Sequence, residues 1–455
     1  MHPYQPSTDP YKPVKDLEIS SDSLLLTYFR QQMNEVSFLR SETRNALDLL
    51  RDIDLHLQTD ALVDIWKKLI EDAIVFLKLK DDREIYHDTM TLGTERLHGF
   101  LTEFQKFENI LYGAIVHYRD HIAHVFRVFL LGHYIVKTSI GFENLSPDVK
   151  TLNLSEADKQ AFFISPEEKE AMWCILALTH DLGYPLEVIY QINQRVRDML
   201  QQFGNIPVQE LGHSYFTQFK EFSDYTIRFL SSDLLPLGNG KYGTHLQAKY
   251  YMKFLSALSI FDHGIISTTI LTKNLVFFKE SDFMLDSLKP LGHEDARQFL
   301  IRKEILRSIA CHNLDEIYYL AIRNFPFVLT ICDEMQEWGR PRLIDITKRG
   351  ASESKLTINK FSKNVVDYTI TFAFPTERYT PSQREIELAS AEVKNYFLRK
   401  KEKWQNVLRS AVGGELRDLT LIFRVIDLTT SPGKEYVLKH PNPEQVVVEE
   451  FVRKK

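Results

Sequence analysis

Residues 177–185 read ALTHDLGYP, and this stretch decides how the middle of the chain folds. An apolar run ends here in two adjacent polar residues, His180 and Asp181, followed by a glycine and a proline. The run starts at residues 165–168, SPEE, which supply a hydroxyl at the N-cap, a proline at the first helical position and a glutamate at the third. The pattern predicts a buried helix that delivers His180 and Asp181 at its C-terminal end.

Further polar residues interrupt apolar runs on either side of this doublet. A lone histidine on an apolar face is usually a hydrogen-bonded core residue, but a buried carboxylate without a partner costs several kcal/mol. A metal ion would explain all of these intrusions together, because the cation offsets the desolvation of imidazole and carboxylate ligands. The additional candidate ligands are His124, His263, His312 and Asp333.

The first of these histidines belongs to a group of three. His117, His121 and His124 follow the spacing i, i+4, i+7 and share one face of a predicted helix. His121 is either a supporting residue or the ligand in place of His124, and a capped, solvent-reaching histidine is an equal alternative. We interpret His117 as structural.

The order His…His-Asp…Asp resembles the HD superfamily of metal-dependent phosphohydrolases, whose core is all-helical. His124 matches the first histidine of that pattern, because the residues that follow it read VFRV. His263 and His312 lie between the doublet and Asp333, as in the variants that hold two metal ions. The resemblance covers about residues 110–342, roughly half of the chain.

The resemblance implies a specific division of the ligands. One metal ion is held by His124, His180, Asp181 and Asp333, and a second by His263 and His312, with Asp181 bridging the two. His180 and Asp181 are the implied catalytic residues. Nitrogen and oxygen ligands without thiolate favour Mn, Fe, Zn or Ni over Mg or Ca, so the expected cofactor is one or two divalent ions of that group.

The residues after the doublet depart from the subgroups of the family whose substrates are known. Many members that cut cyclic dinucleotides have a lysine three residues after the aspartate, where this chain has Tyr184. The histidine-rich continuation of the deoxynucleotide triphosphohydrolases is missing as well. The expected substrate is therefore a small phosphate compound, nucleotide or cyclic nucleotide, without a closer assignment.

Three residues are the main candidates for contact with that substrate, and a fourth is weaker. Arg119 and Arg340 offer guanidinium groups that fit phosphate oxygens, although ordinary ion pairs are the preferred interpretation. Tyr184 either donates to a substrate oxygen or packs at a helix end. Lys273 shares a helical face with His263 but lies almost three turns away, which makes it a weak candidate.

The three cysteines, Cys174, Cys311 and Cys332, lie close in sequence to proposed ligands. Cys311 and Cys332 immediately precede His312 and Asp333, so on a helix they point about 100° away from them. We interpret all three as buried core residues rather than zinc thiolates. Three cysteines in 455 residues also do not make a disulfide framework.

The composition excludes several classes of protein. The chain has 455 residues, of which 44% are hydrophobic and 26% charged, a mixture typical of globular proteins. Its net charge of −6 gives no basic excess, so a nucleic-acid partner is disfavoured. No segment approaches the ~18 apolar residues of a membrane helix. These features predict a cytoplasmic protein with no membrane association.

Periodicity predicts a mostly α fold in four parts: a flexible arm over residues 1–20, a helical N-terminal region over 21–110, a helical domain over 111–342, and a small α+β domain over 345–455. The resemblance implies that the domain over 111–342 is an HD-type metal-binding core. Residues 203–243, rich in glycine and proline, are expected to cover the site as a long loop. A basic cluster at 399–403 is interpreted as a solvated helix face. The N-terminal helices pack on the core or form a homo-oligomer interface.

The leading hypothesis is a metal-dependent phosphohydrolase that uses metal-activated water. Two alternatives stay open: a regulatory or ligand-binding HD module without turnover, and a dinuclear-iron oxygenase. The complete set of six polar residues favours an enzyme, because a silent module has little reason to keep so many costly groups.

Overall fold

The computed structural model is predominantly helical, with a small sheet formed mainly by the C-terminal part of the chain. It describes residues 14–51, 54–79, 94–114, 120–146, 160, 162–201, 220–275, 290–314, 323–340, 353–362, 364–374, 380–410, 419–440 and 446–451.

The helices lie mainly in the first three quarters of the chain. They are α1 Ser23–Gln32, α2 Ser41–Asp48, α3 Thr59–Phe76, α4 Thr94–Ala114, α5 Ile122–Ile135, α6 Pro166–Thr179, α7 Tyr184–Gln201, α8 Lys220–Ser231, α9 Ala248–Ser259, α10 His263–Leu275, α11 His293–Cys311, α12 Phe325–Met335 and α13 Gln383–Ser410. The strands are β1 Val14–Ile19, β2 Ser232–Gly238, β3 Lys241–Leu246, β4 Glu353–Ser362, β5 Val365–Ala373, β6 Thr420–Asp427, β7 Gly433–His440 and β8 Val446–Phe451.

The chain divides into two compact units, each assembled from separate stretches of sequence. Unit 1 comprises Met1–Ile65, Ile110–Ser146 and Asp315–Lys455. Unit 2 comprises Trp66–Asn109 and Pro147–Leu314.

Unit 2 is built around α6, whose residues 169–179 are all buried. This helix packs against α11, and α11 packs against α10. Gly264 permits the second contact, because a Cβ there would lie 2.9 Å from the carbonyl oxygen of Ile309. The close packing brings the first residue of α10 near the C-terminal end of α11.

Unit 1 contains a six-stranded sheet in the order β1-β4-β5-β6-β7-β8. Strands β5 and β6 are parallel, and α13 provides the crossover that a parallel pair requires. The helix packs on β6 and β7, where the indole of Trp404 donates to the Tyr368 hydroxyl at 2.7 Å. The predicted small α+β region therefore has a regular sheet covered on one face by one long helix.

A buried polar network ties together distant parts of unit 1. The Asp22 carboxylate accepts hydrogen bonds from Arg127 at 2.7 and 2.8 Å, from the Leu55 amide at 2.9 Å and from the Trp338 indole at 3.0 Å. Arg127 also donates to the carbonyl of Gly339 at 2.5 Å. Burial alone would raise the pKa of Asp22, but Arg127 and the other donors hold it below its usual range.

The N-terminal segment differs from the flexible arm predicted for residues 1–20. Val14–Ile19 form β1, which pairs antiparallel with β4. A partner more than 300 residues away is invisible to local pattern, because a short polar edge strand resembles a loop when it is considered alone.

The long segment 203–243 also differs from the predicted loop. Residues 202–219 lie outside the described part of the chain, whereas α8 and the β2–β3 hairpin occupy most of the remainder. Gly238 and Gly240 belong to the hairpin turn, where their φ values are +87° and +65°. The predicted cover over the site therefore contains regular structure.

Within the described residues, no single helix is both long and apolar enough to cross a bilayer. Ala248–Ser259 and His263–Thr272, which are bent by 105° relative to each other, reach that length and apolarity only as a pair.

Candidate metal centre

The doublet His180–Asp181 lies at the end of α6, as the sequence predicts. The helix begins with the predicted capping box, in which the Ser165 hydroxyl accepts from the Glu168 amide and the Glu168 carboxylate accepts from the Ser165 amide. His180 is the C-cap residue, and its Nδ1 lies 2.8 Å from the carbonyl oxygen of Ala177. A carbonyl only accepts, so Nδ1 carries the proton and Nε2 presents its lone pair.

His263 is the first residue of α10, and its ring is fixed by Glu187. The Glu187 carboxylate accepts from the His263 ring Nδ1 at 2.6 Å and from the His263 backbone amide at 3.1 Å. The doublet approaches α10 closely because Gly183, whose amide donates to the Ser267 hydroxyl at 2.7 Å, has no side chain. A Cβ at Gly183 would lie 2.4 Å from the His263 carbonyl oxygen.

His312 follows the end of α11 and is held in the same manner. Its Nδ1 lies 2.6 Å from the carbonyl oxygen of Ile309, so Nδ1 donates the proton and Nε2 presents its lone pair. The side chains of His180 and His312 meet edge to face, with ring centroids 4.9 Å apart. Both side chains are almost completely buried.

Asp181, His263 and His312 direct three potential ligand atoms at one point in unit 2. The Nε2 atoms of His263 and His312 are 3.1 Å apart, and Asp181 Oδ1 lies 3.5 Å from the first and 3.6 Å from the second. Ligands about 2.1 Å from a tetrahedral metal ion are separated by about 3.4 Å. The three atoms therefore have the spacing of ligands around a single cation.

The other oxygen of the Asp181 carboxylate faces His180, the third candidate histidine ligand in unit 2. Asp181 Oδ2 lies 3.5 Å from the Nε2 atom of His180. One oxygen thus faces His263 and His312 while the other faces His180.

The hydrogen bonding of these rings calls for a positive charge, a proton or a metal ion, between His263 and His312. His263 and His312 each use Nδ1 as the donor to an oxygen acceptor, which leaves two lone pairs 3.1 Å apart in a buried place. Such an arrangement is unfavourable unless a proton or a metal ion lies between the rings. Histidines that bind metals usually donate their other N–H to a carboxylate or a carbonyl, as both do here.

The surrounding charges act in opposite directions on the two rings. Burial alone lowers the pKa of His263, but the hydrogen bond to Glu187 and the negative charges of Asp181, Asp262 and Glu187 raise it to about 9. Burial and the neighbouring histidines lower the pKa of His312, although Asp181 opposes this shift. In the metal-free protein a proton therefore resides on His263 at neutral pH.

In unit 1 the structure brings His124 and Asp333 together. His124 lies on α5 and Asp333 on α12, and His124 Nε2 is 2.9 Å from Asp333 Oδ1. His124 Nδ1 lies 2.5 Å from Gln336 Oε1, and the amide of Gln336 donates in turn to the Trp338 carbonyl at 2.7 Å. His124 thus presents Nε2 to the carboxylate in the same way as the histidines of unit 2.

The neighbouring histidines of the predicted triple have other positions. His121 is the buried N-cap residue of α5, and its ring centroid lies 6.2 Å from that of His124, edge to face. Of these two rings, His124 is the one with a ring nitrogen 2.9 Å from the Asp333 carboxylate. Since α5 begins at Ile122, the predicted common helical face does not continue back through His121. His117 lies outside the described residues.

The predicted substrate-contact residues are only partly described. Tyr184 begins α7 and packs edge to face on His263, with ring centroids 5.6 Å apart. Arg340 is half-buried in unit 1 and follows Gly339. Arg119 and the side chain of Lys273 lie outside the described part of the chain.

The cysteines are buried free thiols, as the sequence predicts. Burial raises the pKa of Cys311 to about 12 and raises the pKa of Cys174 and Cys332 well above the usual value of a thiol. Thiols of this kind stay protonated at neutral pH, which makes them poor metal ligands.

Three functional neighbours of the candidate ligands were not predicted. Glu187 and Gln336 fix the rings of His263 and His124, and Asp262 caps α10 directly before His263. The only signal for Glu187 is its spacing of three residues from Tyr184 on the same helix. The signal for Asp262 is that of an N-cap aspartate directly before a helix, and Gln336 has no signal in the local sequence.

The chain was compared with protein-family models, with curated proteins and with solved structures, and none of the three comparisons finds a match.

Proposed function

We propose that this chain is a metal-dependent phosphohydrolase acting on a small, nucleotide-like phosphoester or phosphoanhydride. The observation that carries the proposal is the triad of Asp181, His263 and His312, whose ligand atoms lie 3.1 to 3.6 Å apart. The reaction class follows from the resemblance of the ordered ligands to the HD superfamily.

The residues present fit a divalent ion of the Mn, Fe, Zn or Ni group. Two imidazoles and a carboxylate supply a mixed nitrogen and oxygen donor set, and no thiolate takes part. A metal ion bound here supplies a Lewis acid for the phosphate and lowers the pKa of water, which makes hydrolysis possible at neutral pH.

The protein residues have distinct tasks in this scheme. Glu187 and the Ile309 carbonyl accept the Nδ1 protons of His263 and His312, so that Nε2 of each ring would be directed at the ion. Asp181 supplies a negative ligand, and His180 faces its second oxygen. Tyr184 lies against His263, where its hydroxyl can donate to a phosphate oxygen.

The resemblance also assigns His124 and Asp333 to the metal set, and Arg119 and Arg340 to the phosphate. These assignments are part of the proposal. Their support is the order of the residues in the sequence and, for His124, a ring orientation that presents Nε2 to Asp333.

Metal content and hydrolysis, measured together, test the proposal. The wild-type protein should hold one or two metal ions per chain and hydrolyse a phosphodiester, a phosphomonoester or a nucleotide from a mixed panel. Asp181→Ala and His263→Ala should lose metal and lower activity by at least about a hundredfold, since even supporting residues of metal ligands are worth 10- to 100-fold. His245→Ala is the matched control, because His245 is exposed in the same unit.

The outcomes separate the alternatives. Metal retained by His263→Ala would refute the triad as a metal site. Metal bound by the wild type without hydrolysis of any phosphate compound would refute the enzyme and favour a regulatory module. A visible charge-transfer band from an oxidised iron form, together with consumption of oxygen, would favour the oxygenase.

His124→Ala tests the second part of the ligand set. A fall in metal content in that variant would support the resemblance to the HD pattern, whereas an unchanged content would remove His124 from the site.

A further inference from the structure

Phe261, two residues before His263, has a backbone conformation that a bulky residue rarely adopts. Its φ is +58°, in the left-handed region. Asparagine and glycine tolerate this region, but a phenylalanine there is a true outlier that persists only where its surroundings enforce it. Here two backbone hydrogen bonds at the end of α9 enforce it, from the Phe261 amide to the Leu258 carbonyl and from the Asp262 amide to the Ala257 carbonyl, each at 3.1 Å.

The ring of Phe261 is held by α7. It stacks on Tyr190 with centroids 4.4 Å apart and an interplanar angle of 7°. Tyr190 lies three residues after Glu187, so the two side chains share one face of the helix. The same face of α7 therefore contacts both Phe261 and the ring of His263.

The residue between Phe261 and His263 is fixed from two further directions. One oxygen of Asp262 accepts from the amides of Gly264 at 2.9 Å and Ile265 at 3.3 Å. The other accepts from the Asn313 side chain at 2.9 Å. Because Asn313 directly follows His312, this bond links the two turns that carry the histidine ligands.

We propose that Phe261 is a positioning residue that presets His263 for metal binding. The backbone hydrogen bonds hold the conformation of residue 261, stacking on Tyr190 fixes the turn 261–263 against α7, and the turn directs His263 Nε2 to a point 3.1 Å from His312 Nε2. The inference rests on the metal site of the proposed function, but not on the reaction catalysed there.

A structural role and a positioning role predict different results for Phe261→Asn. Asparagine adopts a positive φ at lower cost, so the strain is relieved, but the stack on Tyr190 is lost. If the ring is purely structural, its removal should lower both the stability of the protein and its metal affinity. If the ring positions His263, its removal should lower the metal affinity while the stability of the metal-free protein stays the same.

The experiment measures zinc affinity by competition with a chelating dye and the unfolding midpoint of the metal-free protein. In Phe261→Asn we expect the zinc Kd to rise about tenfold, with a midpoint equal to or above that of the wild type. Tyr190→Leu, which leaves position 261 intact, should weaken zinc binding in the same direction. Phe163→Asn is the control, since Phe163 is 62% exposed and should leave both quantities unchanged.

Cobalt gives a second readout, because its visible spectrum reports ligand geometry. We expect an altered band in Phe261→Asn and an unaltered one in Phe163→Asn. A zinc Kd within twofold of the wild type in both Phe261→Asn and Tyr190→Leu would overturn the inference, as would a loss of affinity that merely follows a lowered midpoint. A wild-type protein that binds no zinc or cobalt would refute the metal site itself.

Discussion

The Nε2 atoms of His263 and His312 lie 3.1 Å apart, although each ring donates through Nδ1 to a separate oxygen. The pair requires a positive charge between its nitrogens, and in the metal-free protein a proton on His263 supplies it. A metal ion at the triad must replace that proton. Proton release and metal binding are therefore linked.

Metal affinity should increase with pH up to about 9, the pKa of His263 in the metal-free protein. Below that value each bound ion displaces one proton, so the apparent affinity should improve about tenfold per pH unit. Calorimetry in two buffers of different ionisation enthalpy should show about one proton released per ion at neutral pH. Binding without proton release would contradict the linkage.

The stability of the metal-free protein should decrease as the pH rises, whereas the metal affinity increases. The pKa of His263 is raised from 6.5 to about 9 on folding, so its contribution is fully present below pH 6.5 and is lost as the pH rises through 9. The shift corresponds to a free energy on the order of 3 kcal/mol. The free energies of unfolding in urea of the wild type and of His263→Gln should converge above pH 9. A difference between them that stays constant from pH 6.5 to above pH 9 would contradict the prediction.

Glu187→Gln should weaken metal binding by about 10- to 100-fold without unfolding the protein. The amide can still accept from the His263 ring, but it lacks the charge that favours a cation. Glu187→Ala should bind metal more weakly than Glu187→Gln. Glu294→Gln, on an exposed residue of α11 in the same unit, is the control, and equal affinities for the three variants would remove Glu187 from the site.

Gly183→Ala should destabilise the protein by about 1–3 kcal/mol, because the new Cβ would lie 2.4 Å from the His263 carbonyl oxygen and 2.8 Å from Ile266 Cβ. Metal affinity should fall as well, since the backbone of His263 must move. Gly99→Ala is a matched control on α4, where a Cβ meets no atom within 4 Å. That variant should gain roughly 0.5–1 kcal/mol, and similar effects of the two substitutions on chemical unfolding would contradict the packing argument.

Lys400→Met should destabilise unit 1 by about 3 kcal/mol. The Lys400 ammonium lies 2.7 Å from the buried Glu334 carboxylate, so its removal leaves a charge without its partner. Removing both charges in Lys400→Met/Glu334→Leu should recover much of the loss, as a double-mutant cycle in urea would show. Lys394→Met, on the exposed side of the same helix, should change stability by less than about 0.5 kcal/mol.

Lys400 also illustrates a limit of sequence interpretation. The sequence predicts a solvated face for the cluster at 399–403, and Arg399 is indeed exposed. Lys400, one residue further, is turned toward α12 and paired with Glu334. Local composition identifies a charged helix but not which charge meets a distant partner.

The candidate ligands of unit 2 were predictable because each one interrupts an apolar run, a conflict that local pattern reveals. The fold of α6 was predictable in detail for a related reason, since its caps and its apolar run agree. The residues that orient the ligands were not predictable. Glu187 and Gln336 look like ordinary polar residues, and their roles depend on contacts 76 and 212 residues away in sequence.

Asp22 determines which fragments of this protein can be produced intact. A chain trimmed to residues 111–342, the region that the sequence pattern favours as a domain, would keep Arg127 and Trp338 but lose the carboxylate that both of them bind. It would also remove β4 together with its partner β1. The guanidinium would then be buried without its counter-charge, so biochemical work on unit 1 should retain the chain from β1 onward.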